Sequence, residues 1–497
     1  MKLTELLAGV GTEPTTSRTK VDVTGLTADS RSAKPGDVFV ATPGTKADGA
    51  QFARDAVAKG AVVVIAEKDV PGLTVPLFKV ESARKALALA AGNFHGNPAR
   101  ELVLLGVTGT NGKTTTAWLL ESICAAGGSS TGLFGTIEVR WPGVKREPTH
   151  TTPDPVQLHQ TLREMVDAGV DTVVMEVSSH SIAQDRVHGL TFRSAGFTNL
   201  SRDHLDFHKD MEDYFQAKRR LFVELLSSGG VGVVNGDDTY TNRIYTELRG
   251  QKRMAWKFSR QGSGEVSATA VELTNGGIKA TLKTPAGDIP IKSALVGAHN
   301  LENILCAAGI ALAAGSSRRD VQEGIERVKR VPGRMERVEA KGVVVLVDYA
   351  HTDDALAKAL ESARGITKGK LLLVFGCGGD RDKGKRPMMG EVAAGADLPV
   401  VTSDNPRSED PEEIISEILP GLEKAGLRRM SAAKARTGER GYIVEADRAA
   451  AIAAAIGLAK AGDTVLIAGK GHESYQEQDG ERRPFDDLSE AKKVLGV

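Results

Sequence analysis

Residues 101–116 read ELVLLGVTGTNGKTTT, and the reading of this stretch decides the fold. The apolar run 102–107 is too short for a helix and reads as a buried strand. Gly109, Thr110, Asn111 and Gly112 then make a glycine-rich turn, and Lys113, Thr114 and Thr115 open a helix. A strand feeding such a turn at a helix N-terminus aims backbone N–H groups and the helix dipole at an anion, here a polyphosphate. Lys113 would reach the terminal phosphates, and the Thr114 hydroxyl would ligate Mg²⁺. The strict pattern needs glycine five positions before Gly112. That position is Val107, so the loop is a variant with Gly109 inside it. A phosphate loop alone does not distinguish a GTPase, a motor, a kinase or a ligase.

Working outward, strand-like runs at 171–177, 194–200 and 230–235 alternate with helical segments such as 155–169. Apolar strands alternating with helices indicate a parallel, helix-covered sheet. The stretch from about 250 to 296 alternates polar and apolar residues between Thr, Gly and Asp turns, and reads as an antiparallel meander at the edge of that sheet. A helix over 300–315 follows. Upstream, short strands at 38–41 and 61–67 and a helix at 82–94 precede a break at Asn97-Pro98. Downstream of Val331-Pro332-Gly333, four buried strands are expected at 342–351, 370–379, 398–404 and 463–473. Each ends in polar residues: Asp348 to His351, Gly378 to Lys383, Asp404 to Arg407, and Lys470 to Glu473. Any one of these is an ordinary polar loop. Four on one parallel sheet mark its ligand-facing edge, because ligands sit outside the carboxyl ends of such strands.

The expected architecture is therefore α/β in three domains. These are a small N-terminal α/β domain (1–100), a central phosphate-loop domain with a mostly parallel sheet and a small antiparallel edge (101–332), and a C-terminal Rossmann-like parallel α/β domain (333–497). Length agrees, since 497 residues at roughly 150 per domain give about three. Aromatics are only 4%, so the cores must rest on Val, Ile, Leu and Ala. Lys+Arg and Asp+Glu are 64 each, and zero net charge argues against a general nucleic-acid or membrane-surface binder. A local basic pocket remains compatible with it. Cys124, Cys306 and Cys377 lie far apart, which is neither a disulfide framework nor a zinc pattern and suits a reducing cytosol. The N-terminal MKLTELLAGVGTEP reads as a short amphipathic helix, not a signal peptide. The longest apolar run, 449–459, is too short and too rich in alanine to span a bilayer. A cytoplasmic monomer is expected.

Further candidates follow the other central strands. Glu176 sits at a strand's carboxyl end, where a carboxylate could hold a metal beside phosphates or could simply be solvated. The run 199–208, NLSRDHLDFH, packs two His and two Asp into six residues; spacing favours neither a metal site nor a surface loop. Lys218 lies in an amphipathic helix with Arg219 and Arg220, and on spacing alone is a solvated face.

Taken together, TGTNGKTTT, HTTPD (150–154), MEVSSH (175–180), DHLDFH (203–208), YFQAK (214–218), GAHNLEN (297–303), GRME (333–336), DYAHTDDAL (348–356), GCGGDRDKGKRPMMG (376–390), DNPR (404–407) and GKGHE (469–473) resemble the Mur ligases. The motifs run in order through all three blocks. The resemblance implies an ATP-dependent amide ligase, and DNPR narrows it to the branch that adds meso-2,6-diaminopimelate to the D-Glu γ-carboxylate of UDP-N-acetylmuramoyl-L-alanyl-D-glutamate through an acyl phosphate. It implies ATP contacts at Gly109, Thr110, Asn111, Gly112, Lys113, Thr114, Thr115, Asn300, Asn303, Arg334 and Asp348. Two Mg²⁺ ions are implied at Thr114, Glu176, His204 and a carbamylated Lys218, since a carbamate turns that cation into an anionic ligand. Ser30 would contact the uridine diphosphate, and Thr151, Thr152, Ser178, Gln184 and Arg186 the muramoyl dipeptide. Diaminopimelate would meet Arg381, Asp404, Asn405, Pro406, Arg407, Gly469 and Glu473. Diaminopimelate exceeds lysine by one far carboxylate, for which the Arg407 fork offers bidentate pairing. The alternatives are a lysine-adding sister, a folylpolyglutamate synthase, or a phosphate-loop switch that makes no product.

Overall fold

The computed structural model describes residues 1–11, 21–44, 48–274 and 276–497. Its first sheet is four parallel strands, Gly25–Thr27, Asp37–Val40, Val63–Ala66 and Leu77–Lys79. Every residue of the two middle strands is buried, which is why they read as continuous apolar runs. The helix Ala83–Phe94 covers one face; it starts where Ser82 Oγ accepts the Lys85 N–H at 3.3 Å. The N-terminal helix is shorter than expected, Leu3–Leu6, with both leucines buried. Residues 12–14 of that reading lie outside the described residues.

Among the described residues the central sheet has eleven strands. Val103–Thr108 pairs in parallel with Phe192–Phe197 on one side and Thr172–Glu176 on the other. The chain first winds outward past Thr172–Glu176 to Thr131–Phe134, then returns and crosses to Phe192–Phe197. The strand entering the phosphate loop thus lies where the winding reverses, the place at which an open sheet forms a ligand crevice. Helices Lys113–Ala126 and Ala298–Ala314 cover one face through Leu119, Leu120, Ile304 and Leu305. Pro155–Asp167 and Met211–Val223 cover the other through Leu158, Leu162, Phe215 and Phe222.

The expected meander needs one correction. Val266–Thr274, Gly277–Lys283 and Ile289–Ser293 are antiparallel at the sheet's edge, but Met254–Ser259 is parallel to Leu226–Asn235 and to the start of Val266–Thr274. Alternation along a strand does not encode direction. The crossover helix Thr239–Gly250 does, because it returns the chain to the same end of the sheet. At the other edge Val139–Trp141 and Val144–Arg146 add antiparallel strands that were too short to read.

The third sheet sets Val343–Asp348, Thr464–Ala468, Leu371–Phe375 and Leu398–Val401 side by side and parallel. The four polar strand ends therefore share one edge. Glu336–Ala340 pairs antiparallel outside them, and Ile443–Val444 closes the far side. A hairpin, Tyr475–Gln478 with Glu481–Pro484, reaches back to the 404–407 turn. Arg448, fully buried, donates to Asp487 at 2.7 and 2.8 Å and to the carbonyls of Ser403 and Ala468, which pins the C-terminal helix Asp487–Leu495 beneath that edge. All three cysteines are buried and free. Among the described residues no helix is long and apolar enough to cross a membrane.

Candidate functional site

The turn 109–112 is built on two glycines in conformations that side chains avoid, φ +148° at Gly109 and +84° at Gly112. A Cβ at Gly109 would lie 1.9 Å from Thr198 Oγ1, and one at Gly112 would lie 2.2 Å from Asn303 Oδ1. Val107, where the strict motif has glycine, is a fully buried strand residue, so Gly109 makes the turn instead. Lys113 Nζ donates to the carbonyls of Gly109 and Thr110 at 3.0 and 2.8 Å. Burial lowers its pKa, an effect that Glu176 and Asp203 partly oppose. Thr114 Oγ1 donates to Glu176 Oε2 at 3.1 Å and accepts from Arg334 Nη2 at 3.0 Å. Glu176 is fully buried and also accepts from the N–H and hydroxyl of Thr136, each at 2.9 Å.

A cavity of about 350 Å³ opens beside this loop. Its walls bring together Lys113, Thr114, Thr151, Ser178, Arg186, His204 and Lys218 of the central block with Arg334, Tyr349, His351 and Arg381 of the third. Lys218 is 1% exposed, and its amine donates to Gly109 O at 2.8 Å and lies 4.6 Å from the Tyr214 ring centroid. Burial, then the Lys113 cation, push its pKa well below the ordinary lysine value. The solvated-face reading of Lys218 is therefore wrong: its helix presents it inward, beside Leu221 and Phe222. His204 adopts φ +55°, with Nε2 3.4 Å from Asp203 Oδ2 and its ring 4.7 Å from that of His180. Burial lowers its pKa to about 3 against the pull of Asp203, which leaves a neutral imidazole.

Thr114, Glu176, His204 and Lys218 all border the loop, and their hydroxyl, carboxylate and neutral imidazole suit a cation. Among the described residues no three His, Cys, Asp or Glu side chains converge as a metal cage. Such a donor set fits Mg²⁺, which keeps water and shares substrate phosphates instead of filling its shell from protein.

The muramoyl candidates divide. Thr151, Ser178 and Arg186 line the cavity. Thr152, 1% exposed, is spent on structure: its hydroxyl donates to Glu176 O at 2.8 Å and accepts the Ser178 N–H at 3.2 Å. Gln184 Oε1 holds the Arg186 guanidinium at 2.7 Å, and Arg186 also donates to Thr152 O at 2.9 Å. Ser30 lies elsewhere, in a groove of the first block with Thr42, Phe52 and Lys59.

A narrow slot on the loop's far side is lined by Thr115, His299, Glu302, Asn303, Arg334, Asp348 and Tyr349. Asn300 is set below it, donating to Val296 O at 2.8 Å and accepting from Asn303 Nδ2 at 3.0 Å. Asp348 accepts the N–H groups of Met335 and Ala350 at 2.8 and 2.9 Å, while desolvation raises its pKa. Asp354 Oδ2 receives Asn111 Nδ2 at 2.9 Å and Ser201 Oγ at 3.0 Å, docking the third block on the loop.

At the third block's edge, Arg407 sits at φ +54°, with its N–H on Glu477 O at 3.0 Å and Nη1 on Gly379 O at 2.7 Å. Gly378 separates Arg407 from Arg381: a Cβ there would lie 2.9 Å from Arg407 Nη1 and 3.8 Å from Arg381 Cγ. Gly469, at φ +114°, leaves room for Asp404, whose Oδ2 would be 2.3 Å from a Cβ. Asn405 Nδ2 donates to Glu473 Oε2 at 2.7 Å. Sequence reasoning missed Thr136, which carries no motif signal, and Tyr214 and Lys470, which lay inside quoted motifs without an assigned task.

The description "Mur ligase middle domain" matches residues 107–311, "Mur ligase, glutamate ligase domain" matches 333–471, and "Mur ligase family, catalytic domain" matches 22–95. The chain is 45% identical, over all of its length and 98% of the relative's, to the UDP-N-acetylmuramoyl-L-alanyl-D-glutamate–2,6-diaminopimelate ligase of Gloeobacter violaceus. It is 43% identical, over all of its length and 99% of the relative's, to the protein of that name from Trichormus variabilis. A solved structure bearing the same name aligns with a TM-score of 0.70 and 31% identity over all of this chain and 99% of that one.

Proposed function

The chain belongs to the Mur ligase family, and on that premise we propose that it joins meso-2,6-diaminopimelate to the D-Glu γ-carboxylate of UDP-N-acetylmuramoyl-L-alanyl-D-glutamate at the expense of ATP. The observation that carries the reading is the convergence of the phosphate loop, the Arg186 wall and the Arg381 edge of the third block on one cavity. In this reading residues 1–100 hold the uridine diphosphate near Ser30, 101–332 bind ATP, and 333–497 bind the incoming amino acid.

An oxygen of the γ-carboxylate attacks the terminal phosphorus of ATP, ADP leaves, and an acyl phosphate remains. The amine of diaminopimelate then attacks the acyl carbon, the C–O bond to phosphate breaks, and the nitrogen gives up a proton as the amide forms. Lys113 and Arg334 face the transferring group and offset charge on its oxygens. Gly109 to Thr115 cradle the phosphates, and the slot of Asn303 and Asp348 takes the nucleoside. Thr114, Glu176 and His204 would hold Mg²⁺, which would supply positive charge to the phosphoryl transfer. The neutral Lys218 amine is the form that attacks CO₂: a C–N bond forms, a proton leaves, and a carbamate anion results. Thr151, Ser178 and Arg186 orient the dipeptide, Thr152 and Gln184 brace them, and Asn300 braces Asn303. Asp404, Asn405, Gly469 and Glu473 receive one end of diaminopimelate. Arg381 and Arg407, on the turn fixed by Pro406, receive the other.

Lysine lacks the far carboxylate, and a guanidinium left without it costs about 1–3 kcal/mol, or roughly 5- to 150-fold. The test is product mass after incubation with ATP, Mg²⁺, the UDP-dipeptide and either amino acid. A mass increase by one diaminopimelate residue is expected. Equal use of lysine would end the specificity reading, and phosphate release without either co-substrate would favour the nucleotide switch. The reading places the enzyme in the cytoplasm as a monomer acting on small molecules, without nucleic acid.

A further inference from the structure

Lys470 is fully buried at the carboxyl end of the strand Thr464–Ala468. Its ammonium donates to Asn405 Oδ1 at 3.0 Å and to Glu473 Oε2 at 3.1 Å, and it lies 5.6 Å from the Tyr475 ring centroid. The Glu477 N–H donates to the same Asn405 oxygen at 2.9 Å. An ammonium and a backbone N–H can only donate, so the amide oxygen of Asn405 must face them and its NH₂ must face away. One N–H of that group is spent on Glu473 Oε2 at 2.7 Å. The second has no acceptor among the described residues. Glu473 Oε2 takes two donors, and Oε1 takes none among the described residues. The edge therefore offers one free N–H beside one free carboxylate oxygen, in a fixed order. This is the pair that a zwitterionic amino-acid head requires, with the donor for its carboxylate and the acceptor for its ammonium.

We infer that Lys470 is a positioning residue that locks Asn405 and Glu473 in this donor-and-acceptor order and thereby sets affinity for the amino-acid substrate. Among the described residues its hydrogen bonds reach neither the phosphate loop nor the cavity walls around Arg186, so its effect falls chiefly on one substrate. Without it, Asn405 loses one of the two donors that fix its flip, and the Glu473 carboxylate loses its buried counterion and is free to turn its open oxygen away. The inference rests on the reading that this edge takes diaminopimelate.

The experiment compares wild type, Lys470→Met and Lys470→Arg by initial rates with each substrate varied in turn, together with thermal melting. Wild-type turnover with diaminopimelate is measured first, and its absence overturns the ligase reading and this inference with it. With an active wild type, Lys470→Met is expected to raise the diaminopimelate KM by about tenfold or more, while the KM values for ATP and the UDP-dipeptide stay within about twofold. Lys470→Arg, which keeps the charge and donors, is expected to recover part of the loss. Lys470→Met that lowers melting temperature and kcat but leaves the diaminopimelate KM alone, or that raises all three KM values equally, overturns the inference while the ligase reading stands. Should Lys470→Met fail to fold, Lys470→Gln keeps an amide NH₂ as donor without the charge. An intermediate rise in the diaminopimelate KM is then expected, and an unchanged one overturns the inference.

Discussion

Lys218 shows how far a residue's chemistry depends on what surrounds it. In the unfolded chain its amine carries a proton at neutral pH. In the fold, burial and the neighbouring Lys113 push its pKa well below the ordinary lysine value. The unfolded state thus binds more protons, and this burial costs stability everywhere below the ordinary lysine range. The proposed carbamate at this position would give the site a further anionic ligand. Lys218→Ala is expected to lower kcat strongly, by about 100-fold or more if it removes charge stabilisation of the phosphoryl step. Small carboxylates should restore part of the rate, and removal of CO₂ should slow the wild type. Rates insensitive to both would remove the carbamate role. Arg407 is the second such residue, held in a left-handed conformation by its own backbone bonds to the hairpin. Arg407→Ala is expected to raise the diaminopimelate KM by about 10- to 100-fold, with the ATP KM little changed. Equal effects on both would mean that Arg407 serves the fold.

The element on which the site turns is the strand–loop–helix unit from Val103 to Ala126. Its loop passes so near Thr198 and Asn303 that only glycine fits at 109 and 112. At Gly112 a methyl group meets the Asn303 amide and a left-handed backbone that costs about 1–2 kcal/mol for any L side chain. Gly112→Ala is expected to weaken ATP binding in calorimetry by about tenfold or more while melting temperature falls only a few degrees. Loss of folding without selective loss of nucleotide would refute that assignment. This unit was legible in the sequence because its chemistry is local: a strand run, the two loop glycines and a lysine lie within the eleven residues 103–113. The direction of Met254–Ser259 was not legible, since alternation fits either direction and the crossover helix decides. Thr136 escaped because its contact with Glu176 is made across forty residues by a loop without a motif.

At the scale of the whole molecule the blocks meet through polar contacts, Asn111 with Asp354, Arg202 with Asp382 at 2.9 Å, and Thr114 with Arg334. Imidazoles are enclosed along with them. Desolvation lowers the pKa of His159 and His299 to about 4 and that of His472 to about 3. The unfolded chain takes up these protons near pH 6.5, before the folded one does. Stability is therefore expected to be flat in this respect above pH 6.5 and to fall as pH drops from 6.5 toward 4. Thermal melts at pH 7.5 and pH 5 check this. A melting temperature unchanged between them would mean that these rings are more solvated than the fold implies.

Period, glycine placement and motif order determined by themselves that this chain is a three-part α/β protein with a phosphate loop, because those signals are written between near neighbours. They also placed four polar strand ends on one sheet. Only the tertiary structure decided which side chains share a cavity and which serve as support. It turned Lys218 inward, spent Thr152 and Asn300 on bracing, set Ser30 in a separate groove and gave Lys470 its place between Asn405 and Glu473. Burial and hydrogen-bond partners across long chain separations fix those roles, and no local pattern records them.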